Sequence, residues 1–303
     1  MKVLIFGGTG FVGRNLIEEL EDNQYQVFVV TRNREKYLES LANKVQLLEW
    51  DTVSSLSSID KLPEMDIVIN LAGESLAEKR WTSSVKEEIK DSRVRTNRAI
   101  VTAINNSVIE PELLISASAV DYYGPRQDEK ITEKEKAGDS FLARVCRAWE
   151  EEAYKVQNES TRVVTTRFGV VLGEEGALQR MVLPFKLYVG GPVGRGEQWL
   201  SWIHIQDLVK MIRFIMENQD LTGPVNAVSP DPVRMKDFSK TLGNVLNKPS
   251  WLPVPEFMLK IVLGQMSEVL LQGQRVYPEK ISHTEFEFNF PEVKSALEDV
   301  LAG

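Results

Sequence analysis

Three glycines, at positions 7, 10 and 13, carry the first chemistry the sequence offers, in Lys2-Val-Leu-Ile-Phe-Gly-Gly-Thr-Gly-Phe-Val-Gly13. Gly7 permits a turn that a side chain would forbid, Gly10 lets the backbone approach a pyrophosphate, and Gly13 lets a helix pack against the preceding strand. The apolar run Val3 to Phe6 ahead of them has strand length, and Leu16, Ile17 and Leu20 behind them have helical spacing. Strand, tight turn and helix together make a dinucleotide phosphate site, because the helix N-terminus offers free N–H groups and the positive end of its dipole. Gly7, Thr9, Gly10, Phe11, Val12 and Gly13 are its candidate residues.

The next position of consequence is the end of the second strand, Gln26 to Thr31, which runs into Arg32-Asn33-Arg34. An acid there would bind a free ribose 2′-hydroxyl, and a base accommodates a 2′-phosphate. With two arginines and no acid, Thr31 and Arg32 point to NADP(H) rather than NAD(H), the alternative being arginines that only solvate a loop. Asp51, after a third strand at Val45 to Trp50, is either an acceptor for an adenine amino group or a turn former. The apolar strand Asp66 to Leu71 delivers Leu71, Ala72 and Gly73, where small residues leave room for ribose and phosphates. Arg93, on a long helix from Ser83 to Asn105, either reaches a phosphate or joins a solvated face.

These groups need a scaffold that brings strand ends together. Further strands at Leu113 to Ser118 and Arg162 to Val171, with a helix at Phe141 to Val156 between them, continue the alternation. The pattern predicts a parallel sheet covered on both faces, a doubly wound Rossmann α/β fold whose ligands bind off the carboxyl ends of the strands. Residues 1–172 form this domain, completed by segments near 198–228. Residues 173–303 are expected to form a smaller α+β lobe on the substrate side, with helices at Leu178 to Tyr188, Ile205 to Met216, Met235 to Leu246, Pro255 to Leu263 and Val293 to Leu301, and a strand-like run from Gln198 to His204.

Composition narrows the partners. The 303 residues, 43% hydrophobic and 26% charged, suffice for a large core. A formal charge of -8 argues against nucleic acid or an anionic membrane, both of which need a basic face. One cysteine and two histidines supply neither a disulfide framework nor an ordinary zinc site, so no metal is expected and a reducing cytoplasm is the natural setting. The first apolar run is too short for a signal peptide, and no later stretch has the length of a membrane span.

The opening glycine turn, Asn70-Leu-Ala-Gly-Glu74 and Ser116-Ala-Ser-Ala-Val-Asp-Tyr-Tyr-Gly124 resemble the extended short-chain dehydrogenase/reductase superfamily. Arg167 to Gly173, Leu183-Pro-Phe185, Gly190-Gly-Pro192, Trp202-Ile-His204 with Asp207, and Leu271 to Val276 narrow the resemblance to its SDR39U1-like epimerase-family branch. That branch carries a C-terminal domain of unknown function, here residues 247–303. The resemblance implies a cofactor NADP(H), a small-molecule substrate and an oxidoreductase or epimerase reaction, and it leaves a homodimer open. It also implies a Tyr-x-x-x-Lys pair, and here the sequence departs from it. Counting back from Glu150 puts Leu142 at the tyrosine and Cys146 at the lysine. Cys146 is either an acid or nucleophile beside Arg144 and Arg147, or an inert buried thiol. The substrate-polarising serine corresponds to Ser118, or its place is taken by Ala119. Tyr122 or Tyr123 could supply a phenol, leaving Ser118, Tyr123 and His204 as catalytic candidates. Arg195, Gln198, Trp202 and His204 are candidates for the substrate wall, His204 equally for a structural role, and Val170 borders the nicotinamide. The missing pair keeps a non-catalytic NADP(H)-bound sensor open beside the enzyme.

Overall fold

The computed structural model describes residues 1–41, 44–50, 63–76 and 79–302. Its strands are β1 (Lys2–Phe6), β2 (Gln26–Thr31), β3 (Gln46–Glu49), β4 (Ile67–Asn70), β5 (Leu113–Ala119), β6 (Lys130–Ile131), β7 (Arg162–Phe168), β8 (Val170–Leu172), β9 (Trp199–Leu200), β10 (Trp202–His204), β11 (Gly223–Ala227), β12 (Val233–Arg234) and β13 (Arg275–Val276). Its helices are α1 (Phe11–Asp22), α2 (Arg34–Leu41), α3 (Ser83–Asn105), α4 (Phe141–Ala153), α5 (Ala177–Lys186), α6 (Ile205–Glu217), α7 (Met235–Val245), α8 (Glu256–Leu263), α9 (Ser267–Leu271), α10 (Glu279–Ser282) and α11 (Val293–Leu301).

The described residues form a seven-stranded parallel sheet in the order β11-β7-β5-β4-β1-β2-β3. Alternation along β1 explains its two covers. Val3 and Ile5 face Leu16, Ile17 and Leu20 of α1 with Leu208, Met211 and Ile212 of α6, while Leu4 and Phe6 face Ala99, Ile100, Ala103 and Ile104 of α3. Both faces are dry, so the strands read as continuous apolar runs. Strands β1 to β3 build the sheet outward on one side of β1, and β4, β5 and β7 build it outward on the other, so the winding reverses between the parallel strands β1 and β4, and that switch point opens a crevice above their carboxyl ends. The fold class expected from the alternation is the one observed.

The expected long strand from Arg162 to Val171 is two strands. Gly169 N–H bonds Ala227 O at 3.1 Å, and Val170 N–H then turns to Ser201 O at 2.8 Å, so β8 leaves the main sheet and pairs with β10. This break carries the chain into the second lobe, whose core joins Phe185, Trp202, Met235, Phe238, Leu242 and Leu297. The Gln198 to His204 run is likewise two short strands, β9 pairing with β12 and β10 with β8. No described helix is long and apolar enough to cross a membrane.

Candidate functional site

The glycine turn is built by contacts that leave no room for a side chain. Gly7 has φ of +79°, and a Cβ there would lie 2.7 Å from Ala72 N; one on Gly13 would lie 2.4 Å from Gly7 O. Gly13 is therefore a packing residue, while Gly10, the N-cap of α1, faces the crevice. Across it, Asn70 and Asn97 fix the end of β4. Asn70 Oδ1 accepts from Ala72 N–H at 3.0 Å, its amide donates to Asn97 at 2.6 Å, and Asn97 donates in turn to Ser116 and to Trp149 O. This buried polar chain sets the course of Leu71 to Gly73.

Two adjoining cavities result, with Leu71 and Gly73 in the walls of both. The first, about 490 Å³, runs from Gly7, Thr9 and Gly10 past Leu71, Ala72 and Gly73 to Thr31 and Arg32. Asn33, Lys36, Tyr37 and Trp50 also line it, and sequence reading did not single them out. Lys36 and Tyr37 lie on α2, a helix whose weak amphipathicity hid it. Its start is marked only by Asn33, whose Oδ1 accepts from Lys36 N–H at 3.0 Å. The Tyr37 hydroxyl reaches Thr9 and so ties α2 to the glycine turn. Asp51 lies outside the described residues.

The second cavity, about 340 Å³, is lined by Val12, Leu71, Gly73, Arg93, Ser118, Asp121, Leu142, Cys146, Trp149 and Val170, among others. Leu142 and Cys146, the positions that the resemblance gives to tyrosine and lysine, thus face this space. Burial pushes the Cys146 thiol up to about 12, with the charges of Asp121 and Glu150 acting in the same direction. It is a neutral thiol at physiological pH, not a nucleophile. Arg93 donates to Ile89 O and Glu74 O at 2.9 and 3.0 Å and lies 5.2 Å from the Trp149 ring centroid. Its first task is to brace the loop after β4. Phe11 packs partly buried against the core, its ring close to Gly173.

The three catalytic candidates are spent on structure. Ser118 donates its hydroxyl proton to Glu150 Oε1 at 2.6 Å, so it has none left to polarise a carbonyl. Tyr123 is fully buried, donates to Asn226 at 2.7 Å and accepts from Arg167 at 2.8 Å; burial pushes its phenol up to about 12. The Glu150 carboxylate receives Arg167 through two bonds of 2.8 and 2.7 Å, with both side chains almost fully buried. Burial alone would lower the guanidinium's pKa, and the Glu150 bonds raise it above its ordinary value. His204 caps α6 through Gln206 N–H, stacks on Phe290 at 4.0 Å and places Nε2 3.2 Å from Asp299. Its burial depresses its pKa and hides it beneath α11, away from both cavities.

A third pocket of about 120 Å³ lies between the lobes, with Trp81, Phe141, Trp199, Leu200, Ser201 and Glu268 among its lining residues. Trp199, Leu200 and Ser201 form part of the wall of this pocket, and Arg195, Gln198, Trp202 and His204 are not among its described lining residues. Trp202 is fully buried with its indole on Asp231 O, Gln198 bonds Val193 O and Leu270 O, and Arg195 is exposed without lining the pocket. Asp121 lines both this pocket and the second cavity, and sequence reading missed it. Its signal was an acid just past the carboxyl end of β5, where the fold places ligands. Burial raises its pKa from 3.8 to about 6.

A parallel doubly wound sheet, a glycine turn at its switch point and a second lobe closing on that point define a dinucleotide-binding protein of the Rossmann class. The chain belongs to the NAD dependent epimerase/dehydratase family, whose model matches residues 3–228, and residues 254–300 match a domain of unknown function, DUF1731. It is 39% identical over 303 residues to the epimerase family protein YfhF of Bacillus subtilis, covering 100% of this chain and 98% of that one. It is also 39% identical to the chloroplastic epimerase family protein SDR39U1 homolog of Arabidopsis thaliana, covering 99% of this chain and 87% of that one. The crystal structure of human epimerase family protein SDR39U1 (isoform2) with NADPH matches at TM-score 0.90 and 32% identity, covering 100% of this chain and 99% of that one. A UDP-glucuronic acid 4-epimerase from Bacillus cereus in complex with NAD shares the fold at TM-score 0.77 and 15% identity, over 99% of this chain and 95% of that one.

Proposed function

We propose that this chain is an NADP(H)-binding oxidoreductase of the epimerase family acting on a small carbonyl or alcohol compound. The observation that carries this reading is the pair of adjoining cavities that share Leu71 and Gly73 in their walls, one reaching from Arg32 and Lys36 past the Gly7 to Gly10 turn and the other reaching to Ser118, an arrangement suited to an extended dinucleotide. Arg32 and Lys36 would hold the adenosine 2′-phosphate, the glycine turn and the start of α1 the pyrophosphate, and Leu71 to Gly73 with Val170 the nicotinamide riboside. NADPH, when bound, supplies a hydride. The relative crystallised with NADPH over the same length supports the cofactor.

The pocket between the lobes supports the substrate class. Its volume of about 120 Å³ is small, its walls are largely aromatic and apolar, and no lysine or arginine is among its described lining residues. A nucleoside diphosphate would meet Glu268 and Asp121 there instead of a cation. A second reading, a cofactor-bound sensor without turnover, is favoured by one observation: Ser118, Tyr123 and His204 are all engaged elsewhere. The proposal places the protein in the cytoplasm and leaves a homodimer open.

Calorimetric titration with NADPH and NADH, repeated on Arg32→Ala, tests the cofactor. Loss of a charge-assisted phosphate bond is worth about 1.5–3 kcal/mol, so NADPH should weaken roughly 10- to 100-fold while NADH stays unchanged. Equal binding of both nucleotides would refute the 2′-phosphate contact, and no heat from either would refute the dinucleotide site.

A further inference from the structure

Asp121 sits in the single turn of 3-10 helix, Val120–Tyr123, that follows β5. Val120 and Tyr123 of that turn point into the core, which leaves the Asp121 side chain half-buried and facing the cleft. The second cavity and the pocket between the lobes share four lining residues, Val120, Asp121, Leu142 and Val170, and of these Asp121 alone can ionise. It therefore stands where a reacting group on the substrate would meet the nicotinamide.

Its surroundings leave it free to change protonation. Among the described residues no other side chain hydrogen-bonds its carboxyl. Arg93 from α3 favours the carboxylate, but that guanidinium is already braced on two carbonyls. The neutral Cys146 thiol faces it from α4, Glu268 faces the same pocket from α9, and Glu74 interacts with Arg93. Glu150 behind Ser118 is consumed by Arg167. Burial outweighs both the hydrogen bond from its own backbone N–H and the pull of Arg93, so the carboxyl is raised to about 6, within reach of an acid–base role.

Resting on the NADP(H) reading above, we propose that Asp121 is the acid–base residue of the cleft, replacing the tyrosine that Leu142 displaces. In the reducing direction the hydride of the reduced nicotinamide joins the carbonyl carbon, the C=O π bond breaks, and its oxygen takes the proton of the Asp121 carboxyl. The products are the alcohol, the oxidised cofactor and the Asp121 carboxylate, which regains its proton from solvent; oxidation runs the same steps backwards. The carboxylate thus forms beside a nicotinamide that has become cationic, and the two charges stabilise each other.

That coupling is measurable without a substrate. NADP+ and NADPH are titrated into the full chain between pH 5.5 and 8, and the ratio of their dissociation constants is followed; the shared 2′-phosphate cancels in that ratio. NADP+ should gain on NADPH by about tenfold as pH rises, the effect of roughly one pKa unit of charge coupling, and the ratio should be flat in Asp121→Asn. Should that variant fold poorly, calorimetry of the native chain near pH 6 in two buffers of different ionisation enthalpy gives the same information, with proton release on binding NADP+ and not NADPH. With 4-nitrobenzaldehyde and butanedione as probes, Asp121→Asn should lower kcat by about 10²–10⁴ with KM little changed. A pH-independent ratio in the native chain, an unchanged slope or rate in Asp121→Asn, or a native rate equal to the blank with both probes overturns the role of Asp121. Failure to bind either nucleotide would instead overturn the NADP(H) reading itself.

Discussion

Replacing Glu150 with alanine should cost the fold about 3–5 kcal/mol, the usual result of removing one partner from a buried ion pair. Glu150 and Arg167 are 5% and 3% exposed at their side chains, so water cannot take over the guanidinium when the carboxylate goes. Arg167 would lose two charge-assisted bonds and keep Tyr123 Oη at 2.8 Å and its places near the Tyr122 and Tyr123 rings, at 3.5 and 4.9 Å from their centroids. Ser118 would also lose its acceptor. Glu150→Gln keeps one acceptor oxygen and should lose about 2 kcal/mol, on the order of one hydrogen bond to a charged group. The paired change Glu150→Leu with Arg167→Met removes both charges at once and should be less destabilised than Glu150→Ala alone. Urea unfolding at pH 7.5, followed by tryptophan fluorescence and circular dichroism, reads all three. A loss under about 1 kcal/mol for Glu150→Ala, or a double variant at least as destabilised as Glu150→Ala, would refute the claim that this pair is a closed, dry unit.

The glycine turn separates packing from binding. Gly13→Ala forces a Cβ to 2.4 Å from Gly7 O and 2.6 Å from Gly8 Cα, so thermal unfolding should show a loss of about 1–3 kcal/mol, whereas a Cβ on Gly10 meets only Gly7 O at 3.4 Å. Gly10→Ala should therefore keep the melting temperature and weaken NADPH in calorimetry; the reverse pattern would mean that the two roles are exchanged. The Asp121 carboxyl gives a pH signature of its own. Its folded pKa, raised from 3.8 to about 6, contributes stability that is present below pH 4 and lost as pH rises through 6. Asp121→Asn cannot ionise, so it should be more stable than the native chain by about 1–3 kcal/mol at pH 8 and nearly equal to it at pH 4. Equal stability at both pH values would show that the carboxyl is better solvated than its position implies.

The sequence by itself determined the scaffold and the phosphate turn, because both follow from local patterns. Val3 to Phe6 can only be a strand buried on both faces, and glycines at 7 and 13 answer to contacts within a few residues or one strand away. Arg32 was legible for the same reason: it lies at a fixed offset from the end of β2, and it does line the groove. The mobile assignments were those that depend on which of several neighbouring side chains turns inward. Ser118, Tyr123 and His204 have the right chemistry, yet each is held by partners far off in the chain, Glu150, Asn226 with Arg167, and Phe290 with Asp299. Sequence spacing cannot show such engagements, since a hydroxyl or imidazole is available only if nothing else in the fold takes its hydrogen bonds. Asp121 is the converse case. Nothing in its local sequence marks it as a carboxyl raised to about 6; the packing of α3, α4 and the second lobe around one turn partly withdraws it from water, and only tertiary structure decides that.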